Sequence, residues 1–278
     1  RAAERAVDSI VSEIRFVRIY DFQPMLVTLL VRRALEGLVY TDVISFLEWC
    51  HPDMVSLERL QKILLETDPS DLSYRAMLGE RIWVMQELFM YFDEGTLKEL
   101  IDHRFYGSVW DVSIQDIRIR TLRRRDFVHY LQDMAQIVAA AQKPYPIILD
   151  ESDAVRLFFD DKDPVFSSIS IKLIAEVSGR KKVTNLCCQL AVMVERFRLR
   201  EGRVPDSLEE LAGRLGEPIP QDPFSGQSLI YQPGPQAYVI YSVGENRVDD
   251  GGQIDEMENQ EPKDRGIRVR LHLREKKE

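Results

Sequence analysis

Four carboxylates, Glu245, Asp249, Asp250 and Asp255, stand within eleven residues, and glycines at 244, 251 and 252 let the backbone among them turn tightly. Anionic groups brought so close repel one another unless water or a cation separates them. Oxygen ligands on a flexible loop are what a hard divalent cation requires. The other reading is a solvated acidic loop that holds nothing. EF-hand spacing is absent, since no Asp-x-Asp-x-Asp-Gly run occurs. The loop follows directly on Tyr238 to Ser242, a β-branched and aromatic run with strand composition.

Other chemistry has less to stand on. His51, His103, His129 and His272 are scattered, none at metal-pair spacing with another. Cys50 is alone and Cys187-Cys188 are adjacent, which suits neither zinc nor a disulfide framework; all three read as buried, reduced thiols. There is no Gly-x-Ser-x-Gly, no phosphate loop and no dinucleotide fingerprint. Asp160-Asp161 has the groups for acid–base work, but the same charges suit a hinge. The run Arg118 to Arg125 (RIRTLRRR) has the charge for an acidic partner or lipid headgroups, and reads as a solvated helix face. A net charge of -9 argues against nucleic acid as partner, because phosphate contacts need a basic surface.

The elements that must position these residues fall into two parts. Up to about residue 160 the chain reads as helix. Ala6-Val7, Ile10-Val11, Ile14 and Val17 recur at helical steps; a second helix runs from Met25 to Leu38, and Thr41-Asp42 caps a third through Trp49. His51-Pro52-Asp53 breaks the chain before a fourth helix opening at Ser56, and Asp68-Pro69-Ser70 breaks it again before Leu72 to Phe92. A short helix from Thr96 to His103 and a longer one from Arg125 to Lys143 follow, the latter ended by Pro144-Tyr145-Pro146. Asp160 to Pro164 (DDKDP) reads as a hinge. Beyond it a long helix from Ile169 to Arg200, with a possible interruption at Ser178-Gly179, leads into three short strands: Ser228 to Tyr231, Ala237 to Val243 and Gly266 to Leu273. The fold class is therefore α+β: an all-α helical domain over 1–163, then a long helix on a small antiparallel sheet over 164–278.

The second part carries more specific blocks. "AVMVERFRLREGRVPDSLEELAG" from Ala191 is followed by "DPFSGQSLIYQ" from Asp222 and "AYVIYSVGENRVDDGG" from Ala237. In this order they resemble the C-terminal region of type II secretion pseudopilins: a helix ending in an aromatic-Arg pair, Gly-x-x-Pro, a Ser-Leu-x-x-Leu helix start, an Asp-Pro-aromatic turn, a Tyr-containing strand and a Ser-x-Gly-x-Asp-Gly loop. The match covers about a third of the chain. The whole chain is also similar to uncharacterised bacterial proteins with a helical region before such a tail, behind an N-terminal membrane anchor. That likeness rests further on Pro24-Met25-Leu26-Val27 and Gly79-Glu80-Arg81.

The resemblance implies calcium at the acidic loop, with Glu245, Asp249, Asp250 and Asp255 as the ligand set and carbonyls near Val243 and Gly244 completing it. Asp264 stands where the family has its closing aspartate. This chain departs from the pattern at Glu245-Asn246, where the family has Asp-Gly, and at Arg247, an internal cation. The resemblance also implies a non-enzymatic, extracytoplasmic (periplasmic or cell-envelope) structural or protein-interaction module. Its partner would be another protein, and any membrane attachment would come through an upstream anchor. Some 165 helical residues before the sheet make it a poor filament subunit. The longest apolar run, Met25 to Val31, is too short to span a bilayer, so the chain as given reads as soluble, and a start at Arg1 suggests a trimmed or processed chain. The alternative from a different class is a hydrolase with a carboxylate site in a groove between helical hairpins.

Overall fold

A computed structural model describes residues 2–67, 72–92, 124–154, 171–255 and 262–271. The expected helix from Thr96, the Arg118 to Arg125 run up to residue 123, the Asp68-Pro69-Ser70 break and the hinge lie outside them, as does the end of the last expected strand beyond residue 271.

Helix α1, Ala2–Val17, buries Val7, Ile10, Val11, Ile14 and Val17, the same residues that recur at helical steps. A 3-10 turn, Arg18–Phe22, leads to α2, Leu26–Trp49. The sequence suggests two helices here, and there is one. Thr41 caps nothing; its hydroxyl donates to the Gly37 carbonyl one turn back, at 2.9 Å, and the buried stripe of Val39, Tyr40, Val43, Phe46 and Leu47 continues past it. Helix α3, Met54–Leu65, starts two residues before the expected Ser56, because Asp53 accepts the Ser56 N–H at 2.7 Å as its cap. Helices α4, Leu72–Phe92, and α5, Arg124–Ala141, follow. Helix α6, Ile147–Ala154, has no counterpart in the sequence reading, since eight residues are too few to display a period. Ile148 and Leu149, both buried, hold it against the core.

Helix α7, Ile171–Glu201, is the centre of the molecule. Val183, Cys187, Cys188, Leu190, Ala191, Val192, Met193, Val194 and Phe197 are all buried, and so are Gln189, Glu195 and Arg196 among them, so its second half is buried around its circumference. A helix of that kind must be covered on every side. Helices α1, α2 and α3 share one core cluster with it, and so do Tyr238, Ile240, Ile267 and Val269 of the sheet. Ser178-Gly179 does not interrupt it. A methyl at Gly179 would sit 2.9 Å from the Phe224 ring and 3.2 Å from that of Tyr145, so the glycine is required by close approach. A second, smaller cluster joins α4 and α5 through Met77, Tyr130, Met134 and Ile137.

After α7, helix α8, Leu208–Leu215, is capped by Ser207 and closed by Gly216 in the left-handed region at φ 70°. Strands β1, Ile230–Gln232, β2, Ala237–Ser242, and β3, Arg265–Arg270, form an antiparallel sheet in the order β1-β2-β3. Tyr238 pairs with Val269 and Ile240 with Ile267, which puts these apolar residues on the face toward α7. Helix α2 reaches the sheet as well: Glu48 accepts the Arg270 N–H at 3.0 Å. The α+β class is as the sequence indicates, mostly helical with one small antiparallel sheet. Among the described residues no helix is long and apolar enough to cross a membrane.

Candidate functional site

The acidic loop grows out of the β2 end, and two buried aspartates shape it. Asp222, 2% exposed, opens the Asp-Pro-Phe turn. One of its oxygens accepts the Phe224 N–H at 2.9 Å and the Ser242 hydroxyl at 2.7 Å; the other accepts the Ser225 hydroxyl at 2.9 Å and the Val243 N–H at 3.3 Å. Ser242 in turn accepts the Gly244 N–H at 3.0 Å. Gly244 has φ 66°, and a side chain there would meet the Lys263 carbonyl at 2.6 Å, so only glycine makes this turn without strain.

Asp264, fully buried, closes the loop. Its carboxylate accepts three backbone N–H groups: Asp250 at 3.3 Å, Gly252 at 2.8 Å and Gln253 at 3.0 Å. Around this centre the backbone turns its donors inward, which is the polarity that suits an anion. A calcium shell needs carbonyl and carboxylate oxygens turned inward instead.

The four carboxylates singled out in the sequence lie on this loop, each with its own partners. Glu245 bridges Arg180 of α7 and Arg265 of β3, the latter at 3.1 Å. Burial works to raise its pKa, but the two guanidiniums outweigh burial and hold it below the usual glutamate value. Asp249 accepts the Tyr241 hydroxyl at 3.0 Å and the Gly251 N–H at 2.9 Å. Burial and that bond to Asp249 push the Tyr241 phenol up to about 12. Asp250 accepts from Asn246 at 2.8 Å and pairs with Lys263 at 3.4 Å. Asp255 pairs with Arg268 at 2.7 Å. Arg247 leaves the loop for Asp150 of α6, at 2.6 Å.

Among the described residues no group of three or more His, Cys, Asp or Glu side chains converges as a metal site. In this arrangement the four carboxylates do not form a calcium shell: they do not converge on one point, and each is engaged with a protein cation or an N–H or O–H donor. Arg180 and Arg265 are the residues the sequence reading missed. Neither has a local signal: one lies on α7 and the other on β3, and only the packing of helix on sheet brings them to Glu245.

Beside the loop lies a cleft of about 270 Å³ lined by Asp150, Lys172, Glu176, Glu245 and Arg247, with Leu149 and Phe224 at its apolar side. It mixes both signs of charge. The pKa of Glu245 is lowered, the opposite of what a general acid needs.

Cys187 and Cys188 are buried and reduced, and burial holds both thiols well above their ordinary range. Cys50, expected to be buried, is only partly so, because it follows the last residue of α2.

Fold and site together define the class: an α+β protein in which one central helix is wrapped by a helical layer and a three-stranded meander carrying a hydrogen-bonded acidic loop. Compared with family models, curated proteins and solved structures, the chain matches none.

Proposed function

We propose that this chain is a non-enzymatic protein of the bacterial cell envelope, acting outside the cytoplasm as a structural or protein-interaction module with a pseudopilin-like C-terminal part. One observation carries the reading. The blocks quoted from the tail interlock as a unit: Asp222 of the Asp-Pro-Phe turn accepts the Ser242 hydroxyl at the end of β2, and Tyr231 of β1 donates to the Pro205 carbonyl of the Gly-x-x-Pro segment at 3.0 Å. Residues that resemble a family in order also depend on one another in space. Their carboxylates are consumed in holding backbone, a structural use.

The interaction role is supported by the corner between α1 and α2. Phe16, Ile19, Phe22 and Val27 are 53%, 59%, 85% and 65% exposed, a density of large apolar side chains that water disfavours. The test uses a bacterium producing the full natural protein. Protease added to spheroplasts is expected to digest it while a cytosolic marker survives; survival of the chain overturns the compartment. In intact cells, chemical crosslinking is expected to give a discrete adduct that Ile19→Glu with Phe22→Glu abolishes. An adduct unchanged by that double variant removes this corner as the interaction surface.

A further inference from the structure

A groove of about 450 Å³ lies between α3 and α7, with residues 217–220, just after α8, at its third side. Its charged lining balances: Glu58 and Glu217 stand against Lys62 and Arg196. Its apolar lining comes from Leu65 of α3, Met193 of α7, Pro218 and Pro220. We propose that this groove binds an extended, uncharged segment of a partner protein, with a peptide group paired to the Gln189 amide and an aliphatic side chain seated among Leu65, Met193 and the two prolines. The inference rests on the interaction role proposed above and adds the chemistry of what is bound.

Gln189 supplies the observation that points to a ligand. It is 7% exposed and lines the groove, yet its side-chain amide has no hydrogen-bond partner among the described residues. Neither its nitrogen nor its oxygen is among the unpartnered polar atoms sealed from solvent, so the little surface this residue keeps includes both. The other buried polar side chains of the lining are committed. Arg196 donates to Glu217 at 2.6 Å and to the Gln61 side-chain carbonyl, and the Gln61 nitrogen donates to the second oxygen of Glu217. Arg196 Nε has no acceptor among the described residues, but it is sealed from solvent and offers nothing to a ligand. One donor and one acceptor are thus left facing the groove on a side chain more than nine-tenths buried. Unmade hydrogen bonds at such a group favour a ligand that supplies them.

The chemistry of the occupant follows from that amide and its surroundings. A primary amide donates through nitrogen and accepts through oxygen, so it pairs with both the C=O and the N–H of a peptide group. A carboxylate or an ammonium group would use one half of it and leave the other unmade. The balanced lining gives neither sign of charge an advantage, and its one buried cation, Arg196, is already paired with Glu217. Met193 lies one turn beyond Gln189 on the same face of α7, so a side chain next to the bound peptide group meets apolar surface. Leu65 is 63% exposed, and an aliphatic side chain laid over it removes apolar area from water.

The experiment is an NMR titration of the intact, isotope-labelled chain with a blocked neutral tripeptide, acetyl-Ala-Leu-Ala methylamide. Saturable shifts are expected at the Gln189 side-chain amide, whose signals are identified by their loss in Gln189→Met. That variant conserves volume, and with far-UV circular dichroism unchanged it is expected to bind about tenfold more weakly. Leu65→Ala, at an exposed side chain, leaves the core intact and is expected to bind several-fold more weakly. The same peptide with glutamate or lysine in place of leucine is expected to bind about tenfold more weakly. Absence of binding by the leucine peptide overturns the proposal without touching the corner between α1 and α2, whose crosslinked adduct tests the interaction role separately. Binding that Gln189→Met leaves at wild-type strength overturns it too. So does N-methylacetamide binding as tightly as the tripeptide, which would make this a site for small amides.

Discussion

The Glu80 carboxylate accepts the backbone N–H of Leu26 at 2.7 Å, across 54 residues of chain. Leu26 is the first residue of α2, and Met25 before it provides no side-chain cap. Helix α4 therefore supplies the cap that the local sequence lacks, satisfying one of the N–H groups a helix start leaves open. One residue earlier, Gly79 lets the two segments touch: a methyl there would fall 1.5 Å from the Pro24 carbonyl oxygen. The segments Pro24-Met25-Leu26-Val27 and Gly79-Glu80-Arg81 are thus one contact.

Gly79→Ala is expected to destabilise the protein by at least about 2 kcal/mol, because backbone rather than a flexible side chain must give way. Gly213→Ala is the matched control. Gly213 lies inside α8 with open space around it, and alanine there should stabilise by up to about 1 kcal/mol. Urea denaturation midpoints of the two variants check this; equal midpoints would contradict the contact.

The Glu245 bridge predicts a pH dependence. The folded-state pKa of Glu245 is lowered by Arg180 and Arg265 against the opposing effect of burial. A carboxyl with a lowered folded pKa contributes stability that is complete above its unfolded value, about 4.3, and lost as pH falls through the folded one. Glu245→Gln should therefore lower the Tm most at neutral pH, and the gap between the two curves should shrink as the pH falls below the unfolded value. A gap between them that does not change with pH would count against the bridge.

Calcium tests the loop from the other side. Asp264 draws backbone N–H groups inward, and the four acidic residues of the loop are engaged elsewhere. Thermal unfolding at millimolar calcium and in chelator is expected to give the same Tm. A ligand that binds only the folded chain would raise it. A calcium-dependent rise, lost in Asp250→Lys, would mean that the loop rearranges around the ion.

Thiol reactivity reports on the central helix. Cys187 and Cys188 are buried with raised pKa values, whereas Cys50 is partly exposed. A thiol reagent should modify Cys50 alone in the native protein, and all three thiols in urea. Rapid native modification of the adjacent pair would show that α7 is not covered on both sides.

Local and periodic information in the chain determined most of the elements. The apolar spacing of α1, the β-branched runs of β2 and β3 and the long helix α7 are visible without coordinates, because burial of one face imprints a period on the residues. The α+β class follows from their order. What the tertiary structure decided concerns partners distant along the chain. Whether α2 runs on past Leu38 depends on an unbroken core behind Thr41, and whether Gly179 breaks α7 depends on the rings of Phe224 and Tyr145. The acidic loop shows the limit most plainly. Four carboxylates in a short stretch announce a need for positive charge, yet the cations and N–H groups that answer it come from α7, β3 and the loop's own backbone. A charge's environment is a property of space, and only folding brings Arg180 and Arg265 to Glu245.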